Sequence, residues 1–289
     1  MKYLYLFFMM TAVFLTGCTE ALTTNSSGLV VEGWIDDGGF PVVIVTSTIP
    51  VSDKYQNIDS IGKYVVKWAR VTVSDGDTTV VLTGKVDRSC FPWYIYTTGW
   101  LRGRAGKCYT LTVDDEDFHA SALTTIPRRI PVDSFKVERS TLSDTLYQIK
   151  AFFTDPPAER NYYKFFTKRL GKDQGYYSSL FGTFSDAVLD TLPAIPVLQG
   201  NGILTAEKYS PYFTAQDDVV VKFAQLDAAS YSFWHDFESS VNLSRNFFMP
   251  DVNNLRSNVK GALGYWCGYG ASYYVVNIKD RINARRGHE

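Results

Sequence analysis

"ARVTVSDGDTTVVLTG", residues 69–84, sets two β-branched runs on either side of Asp75-Gly76. Valine and threonine suit a pleated strand, because their branched side chains pack well on its surface. Asp-Gly supplies the positive φ that a tight hairpin turn requires. The stretch therefore predicts an antiparallel hairpin, and the same pattern recurs on both sides of it. "LVVEGWIDD" (29–37) and "PVVIVTST" (41–48) flank "GGF", whose Gly38-Gly39 suits a turn. "CFPWYIYTTGWL" (90–101), "KCYTLTV" (107–113) and "FHASALTTIP" (118–127) follow, separated by "RGRAG" and the acidic "DDED". Short strands broken by regular turns predict an N-terminal immunoglobulin-like antiparallel β-sandwich over residues 29–130. The prolines and arginines of "IPRRIP" (126–131) mark its end.

The second half, residues 131–280, reads as another mostly β domain with one helix. "VDSFKVERS" (132–140), "TLYQIKAFFTD" (145–155), "NYYKFFTKRL" (161–170) and "DDVVVKFAQL" (217–226) are its strands. Pro156-Pro157 interrupts them, since proline cannot donate to a ladder. Residues 171–202 show no clean period and read as a loop. Asp227 is placed to cap a helix over 228–241, whose Tyr231, Trp234, Phe237 and Val241 recur at helical spacing. "GALGYWCGYGASYYVVNI" (261–278) adds a glycine-rich bend and a last strand. Its glycines predict a bend against the core with Tyr265 or Trp266 buried beneath it. Residues 281–289 are a polar tail expected to fray.

The N-terminus carries a different signal. Leu4 to Leu15 is an apolar run of twelve residues behind Lys2. That is too short for a membrane span, which needs about 20 apolar residues, and it reads as a secretory signal over residues 1–17. Leu15-Thr16-Gly17-Cys18 resembles a bacterial lipobox, so Cys18 is the expected lipidation site. Two or more acyl chains anchor stably where one does so marginally. Residues 18–28, small and polar, form the tether between lipid and domain.

Composition narrows the chemistry. Twenty-nine basic residues balance thirty acidic ones for a net charge of −1, which disfavours nucleic acid as a partner. Aromatics make up 15% of the chain, which suits strands and also a surface that stacks sugars or peptides. Cys90 and Cys108 are close enough in sequence to be a candidate disulfide, permitted by export. Cys267 reads as a small apolar residue. Three histidines, His119, His235 and His288, show no metal-binding spacing, and no GxSxG elbow is present. Asp114-Asp115-Glu116-Asp117 lacks the spacing of a calcium loop and reads as a soluble hairpin tip. No catalytic residue, metal site or cofactor is assigned. Tyr176 and Tyr177, in the loop-rich segment, and Tyr265 and Tyr269, near the chain's end, are the candidate ligand or partner surface.

In their order along the chain, "LVVEGWIDDGGFPVVIVTSTIPV", "ARVTVSDG", "AGKCYTLTV", "ASALTTIP", "PVDSF", "VVVKFAQLDAASYSFW", "SRNFFMP" and "NVKGALGYWCGYG" resemble the Bacteroidota outer-membrane lipoprotein family known as domain of unknown function 4249. Val259 stands where the family tends to have isoleucine, and Cys267 interrupts its glycines. The resemblance carries no catalytic residue. It implies a lipid-anchored outer-membrane protein, often encoded beside a TonB-dependent receptor. The expected function is a non-enzymatic accessory or binding subunit of such a transporter. The alternatives are a structural or assembly component of an outer-membrane complex and an exported hydrolase. Thr19-Glu20 offers a single acid after the cysteine, which leaves the membrane leaflet open.

Overall fold

The computed structural model describes residues 28–48, 58–116, 118–156, 160–189, 192, 194–200, 209–244 and 255–286. The signal segment, Cys18 and the tether as far as residue 27 lie outside them. The strands of the first half are β1 (Leu29–Asp36), β2 (Val42–Ser47), β3 (Arg70–Ser74), β4 (Thr79–Val81), β5 (Thr83–Val86), β6 (Tyr94–Thr97), β7 (Cys108–Asp115) and β8 (Phe118–Thr125). β9 (Ser134–Ser140), β10 (Ser143–Phe152), β11 (Tyr162–Arg169), β12 (Tyr177–Ser185), β13 (Ile195–Val197), β14 (Phe213–Thr214) and β15 (Asp218–Leu226) follow. The chain closes with α1 (Ala228–Ser244), β16 (Val259–Lys260), β17 (Leu263–Asn277) and α2 (Ile278–Arg286). The protein is mostly β, and no helix among the described residues is long and apolar enough to cross a membrane.

The Asp-Gly hairpin forms as its sequence implies. β3 and β4 pair antiparallel, Gly76 has φ +89°, and the Asp75 carboxylate accepts from the Thr78 amide at 2.8 Å. The second strand then changes sheets: Leu82 is buried, and β5 joins the large sheet instead.

That sheet has eight strands in the order β12-β11-β15-β17-β1-β2-β6-β5. β17 is its pivot. Leu263 to Tyr269 run parallel to β1, and Gly270 to Asn277 run antiparallel to β15. One face of the sheet packs on two smaller sheets. A five-stranded sheet, β16-β8-β7-β3-β4, encloses Val31, Ile35, Val71, Tyr109, Leu111 and Trp266 with it. A second sheet, built on β10 with β9, β13 and β14, encloses Ile149, Phe165, Phe213, Val221, Phe223 and Val276. Each such side chain stabilises the fold by roughly 1.5–3 kcal/mol relative to exposure. Val259 and Trp266, late in the chain, thus complete the core of the first half.

The segment joining the halves crosses β17 at its glycines. A Cβ on Gly268 would sit 2.9 Å from the Thr125 carbonyl oxygen, and one on Gly270 would sit 2.5 Å from that of Pro127. Gly264 has φ +119°, and both Tyr265 and Trp266 are buried, so the bend expected here is present.

Two readings are corrected. Residues 171–202, read as a loop, contain β12 and β13. Their period is hidden because β12 is irregular: Phe181 has φ +54°, and the β11–β12 register shifts between Lys164 and Phe166. The tail expected to fray is helical as far as Arg286, within α2, and residues 287–289 lie outside the described residues. Asn277 caps the helix by accepting from the Asp280 amide at 2.8 Å, and fully buried Ile278 anchors it.

Candidate functional site

Because side chains alternate along a strand, the opposite face of the large sheet carries different residues. From β1 come Glu32 and Trp34; from β2, Ile44; from β17, Tyr265 and Tyr269; from β15, Lys222; from β11, Phe166 and Lys168. Helix α1 lies over this face and contributes Trp234 and Phe237. Its cap is Asp227, which accepts from the Ser230 amide at 2.7 Å. The same carboxylate accepts from the Thr124 hydroxyl at 2.8 Å, tying the helix start to β8. Tyr231 and Phe237 pack with Trp234 against the sheet, while the Val241 side chain lies outside the described residues.

Between helix and sheet opens a cavity of about 400 Å³. Two further segments complete its wall, a loop through Ser89, Cys90 and Phe91 and the stretch from Gln174 into the start of β12 at Ser178. They meet closely, since a Cβ on Gly175 would come 2.3 Å from the Ser89 carbonyl oxygen. Aromatic rings predominate: Trp34, Phe91, Phe166, Tyr176, Tyr177, Trp234, Phe237, Tyr265 and Tyr269 all line it. Trp234 donates its indole N–H to the Tyr269 hydroxyl at 2.9 Å. Burial pushes the Tyr265 and Tyr269 hydroxyls well above the ordinary tyrosine range, so both remain neutral donors.

Among the described residues, three charged side chains reach the cavity: Glu32, Lys168 and Lys222. Lys222 Nζ lies 2.7 Å from Asp36 Oδ1 and 4.5 Å from the centre of the Tyr269 ring. Asp36 also accepts from the Tyr273 hydroxyl. Lys168 donates to the Gln174 carbonyl at 2.9 Å. Glu32 has no hydrogen bond or ion pair among the described residues. It is deeply enclosed yet keeps some accessible surface, because it borders the cavity. Loss of hydration pushes its carboxyl up to about 7. Beside the cavity, fully buried Lys164 donates to Ser178, Thr183 and Glu238, each at 2.8 Å, and pins α1 to the sheet. Burial holds the Lys164 ammonium below its usual range, with Glu238 opposing the shift.

All four tyrosines singled out from the sequence line this one cavity. They divide into a rim and a floor: Tyr176 is 42% exposed, while Tyr265 and Tyr269 are 9% and 2% exposed. Neither Tyr265 nor Tyr269 is an outward docking ring. The candidate disulfide is not formed. Cys90 lies in the cavity wall, whereas Cys108 begins β7 in the other sheet, its sulfur 3.0 Å from the Thr125 hydroxyl; both are free thiols. Buried Cys267 packs in the aromatic cluster under α1. Cys18 and His288 lie outside the described residues. His119 sits 2.7 Å from Asp114, exposed at the β7–β8 hairpin, and His235 is exposed on α1. No group of three metal-ligating side chains occurs among the described residues, and Asp117 lies outside them.

Glu32, Lys168, Lys222 and Trp34 were missed in the sequence. Their signal was present: each charge interrupts an apolar or aromatic strand, as in "LVVEGWID" and "DVVVKFAQL". A charge inside such a run is costly unless something satisfies it.

The sequence profile of the family described as "Domain of unknown function (DUF4249)" matches residues 19–273, and the chain belongs to that family. No curated protein matches it.

Proposed function

We propose that this member of the family is a Bacteroidota outer-membrane lipoprotein. In this reading it is anchored through Cys18 and is a non-enzymatic binding subunit of a TonB-dependent transporter, its cavity holding a small molecule. One observation carries the binding role: aromatic rings from both halves of the chain converge on a cavity of about 400 Å³, the size and lining of a small-ligand site. The anchor rests on the lipobox and the polar tether behind it. A ligand-delivery role suits this arrangement, because the rim tyrosine and the two wall segments stand at the mouth while the buried hydroxyls wait at the floor.

Thermal melting and tryptophan fluorescence of the detergent-solubilised chain, run against a panel of small apolar and amphipathic compounds, test the binding role. The expected result is a ligand that raises the melting temperature and changes the emission of Trp34 or Trp234. It should lose that effect in Trp34→Ala. A panel without any such compound overturns the reading. For the anchor, Cys18→Ala is expected to abolish palmitate labelling and release the protein from membranes.

A second reading, an assembly component, is favoured by Trp68 and Trp100, which are 93% and 91% exposed. Aromatic rings are enriched where proteins meet, and these two are open to a partner. If Trp68→Ala or Trp100→Ala loses a co-purifying membrane partner while Trp34→Ala retains it, assembly becomes the better account.

A further inference from the structure

We infer that the ligand of this cavity carries a cationic amine, which pairs with Glu32 while its apolar body lies among the rings; this rests on the binding reading above. Glu32 borders the cavity from the middle of β1, between Ile44 on β2 and Tyr265 on β17. It is the one charged lining residue that has no partner among the described residues. Lys222 is held by Asp36, and Lys168 by the Gln174 carbonyl. An anionic ligand at Lys222 would compete with the Asp36 carboxylate, and one at Lys168 would leave the enclosed Glu32 still unpaired. A cation meets neither obstacle, because the Glu32 carboxylate is already free.

The surroundings agree. A carboxylate taken from water without a partner is costly, and a cation with N–H donors removes that cost. Aromatic faces attract the same cation, and Trp34, Phe91, Tyr265 and Trp234 line the same space. The titratable groups facing Glu32 are the Tyr265 hydroxyl and the Cys90 thiol, and burial raises both, so they stay neutral near pH 7. Among the described residues, helix α1 contributes Trp234 and Phe237 to the lining. β11 and β15 contribute Lys168 and Lys222, which keep a second cation away from that side. The geometry thus points to an ammonium on an apolar body, entered charge-first toward β1.

The test compares three probes of one skeleton by titration calorimetry on the full chain in detergent: 3-phenylpropylamine, 3-phenylpropanol and 3-phenylpropionate. The amine is expected to bind about tenfold or more tightly than the alcohol, the scale of one charge-assisted hydrogen bond. In Glu32→Gln the two should bind within about twofold. The amine's advantage should also grow as pH rises through 7, where Glu32 ionises. If the alcohol or the carboxylate binds the wild-type chain as tightly as the amine, the inference is overturned while the binding role stands. If none of the three binds, the inference is overturned, and the wider panel decides the binding role. Should Glu32→Gln fail to fold, the wild-type pH profile decides alone: a flat profile overturns the inference.

Discussion

One face of the eight-stranded sheet presents Val31, Ile35, Trp266, Val221, Phe223 and Val276 to two smaller sheets. The other presents Glu32, Asp36, Lys164 and Lys222, set among aromatic rings, to a single helix and a cavity. The same strands supply both, residue by alternate residue. β17 shows it most plainly, with Trp266 buried on the dry side and its neighbours Tyr265 and Cys267 on the cavity side. The dry side binds the fold together. The cavity side carries charges that each need a partner, and among the described residues all of them have one except Glu32. A charged residue on the second face is therefore informative in a way that an apolar residue on the first is not.

The largest expected effect lies on the dry face. Trp266 is fully buried and donates its indole N–H to the Tyr109 carbonyl at 2.9 Å. Trp266→Ala should cost about 3–5 kcal/mol in urea unfolding, through the cavity it leaves and the carbonyl it orphans. Trp34→Ala, one residue position across the sheet and half-buried in the cavity wall, should cost less than half as much. Equal losses would erase the distinction between the faces.

Glu238→Ala comes next. It strips fully buried Lys164 of its ionic partner, and breaking a buried pair costs about 3 kcal/mol or more. Ser178 and Thr183 still accept from the ammonium, which keeps the loss at the lower end. The double variant Lys164→Met with Glu238→Leu should recover most of it, since no charge is then stranded. Failure of the double variant to recover would mean that the pair aligns α1 rather than satisfying a buried charge.

Gly264→Val should cost about 1–3 kcal/mol in the same assay. The residue has φ +119°, and any Cβ would strike the Val31 carbonyl oxygen on β1. This sharpens the comparison, because the bend lets β17 enter alongside β1 and turn its two rows of side chains toward the two faces.

Much of this was legible in the sequence. The Asp-Gly hairpin, the Asp227 cap, the aromatic strands and the glycine-rich bend are local signals, each fixed by one or two residues. The partner change of β17 was not legible, because nothing local tells Leu263–Tyr269 to pair with a strand more than 200 residues earlier. β12 was hidden by its own irregularity, and α2 by the polarity of its exposed residues, since among its described side chains only Ile278 and the half-buried Ile282 turn toward the core. At the site, four tyrosines could be picked as aromatic neighbours, but their convergence depends on that same long-range pairing. Glu32 stood in plain view as one acid in an apolar run; only the sheet shows that it faces a cavity rather than water.

The smallest effect, and the only one of opposite sign, belongs to Glu32→Gln. Enclosure raises the carboxyl from 4.5 in its ordinary state to about 7 in the folded protein. The folded chain therefore holds this proton where the unfolded chain has released it. Stability from this group is complete below pH 4.5, falls as pH rises toward 7, and levels off above. Glutamine resembles the protonated acid and never ionises. The variant should match the wild type near pH 4, gain on it as pH rises from 4.5 toward 7, and keep a constant advantage above. One pKa unit corresponds to about 1.4 kcal/mol, and water reaching Glu32 through the cavity reduces the effect, so a gain of about 1–2 kcal/mol is expected. That is several degrees in melting temperature for a chain of this size. Melting curves of both proteins from pH 4 to 8 check it. A constant difference across that range would show that Glu32 ionises in the folded protein just as it does in the unfolded chain. A wild type more stable above pH 7 would show that the carboxylate has a partner after all, and the two faces of the sheet would then be alike in leaving no charge unmet.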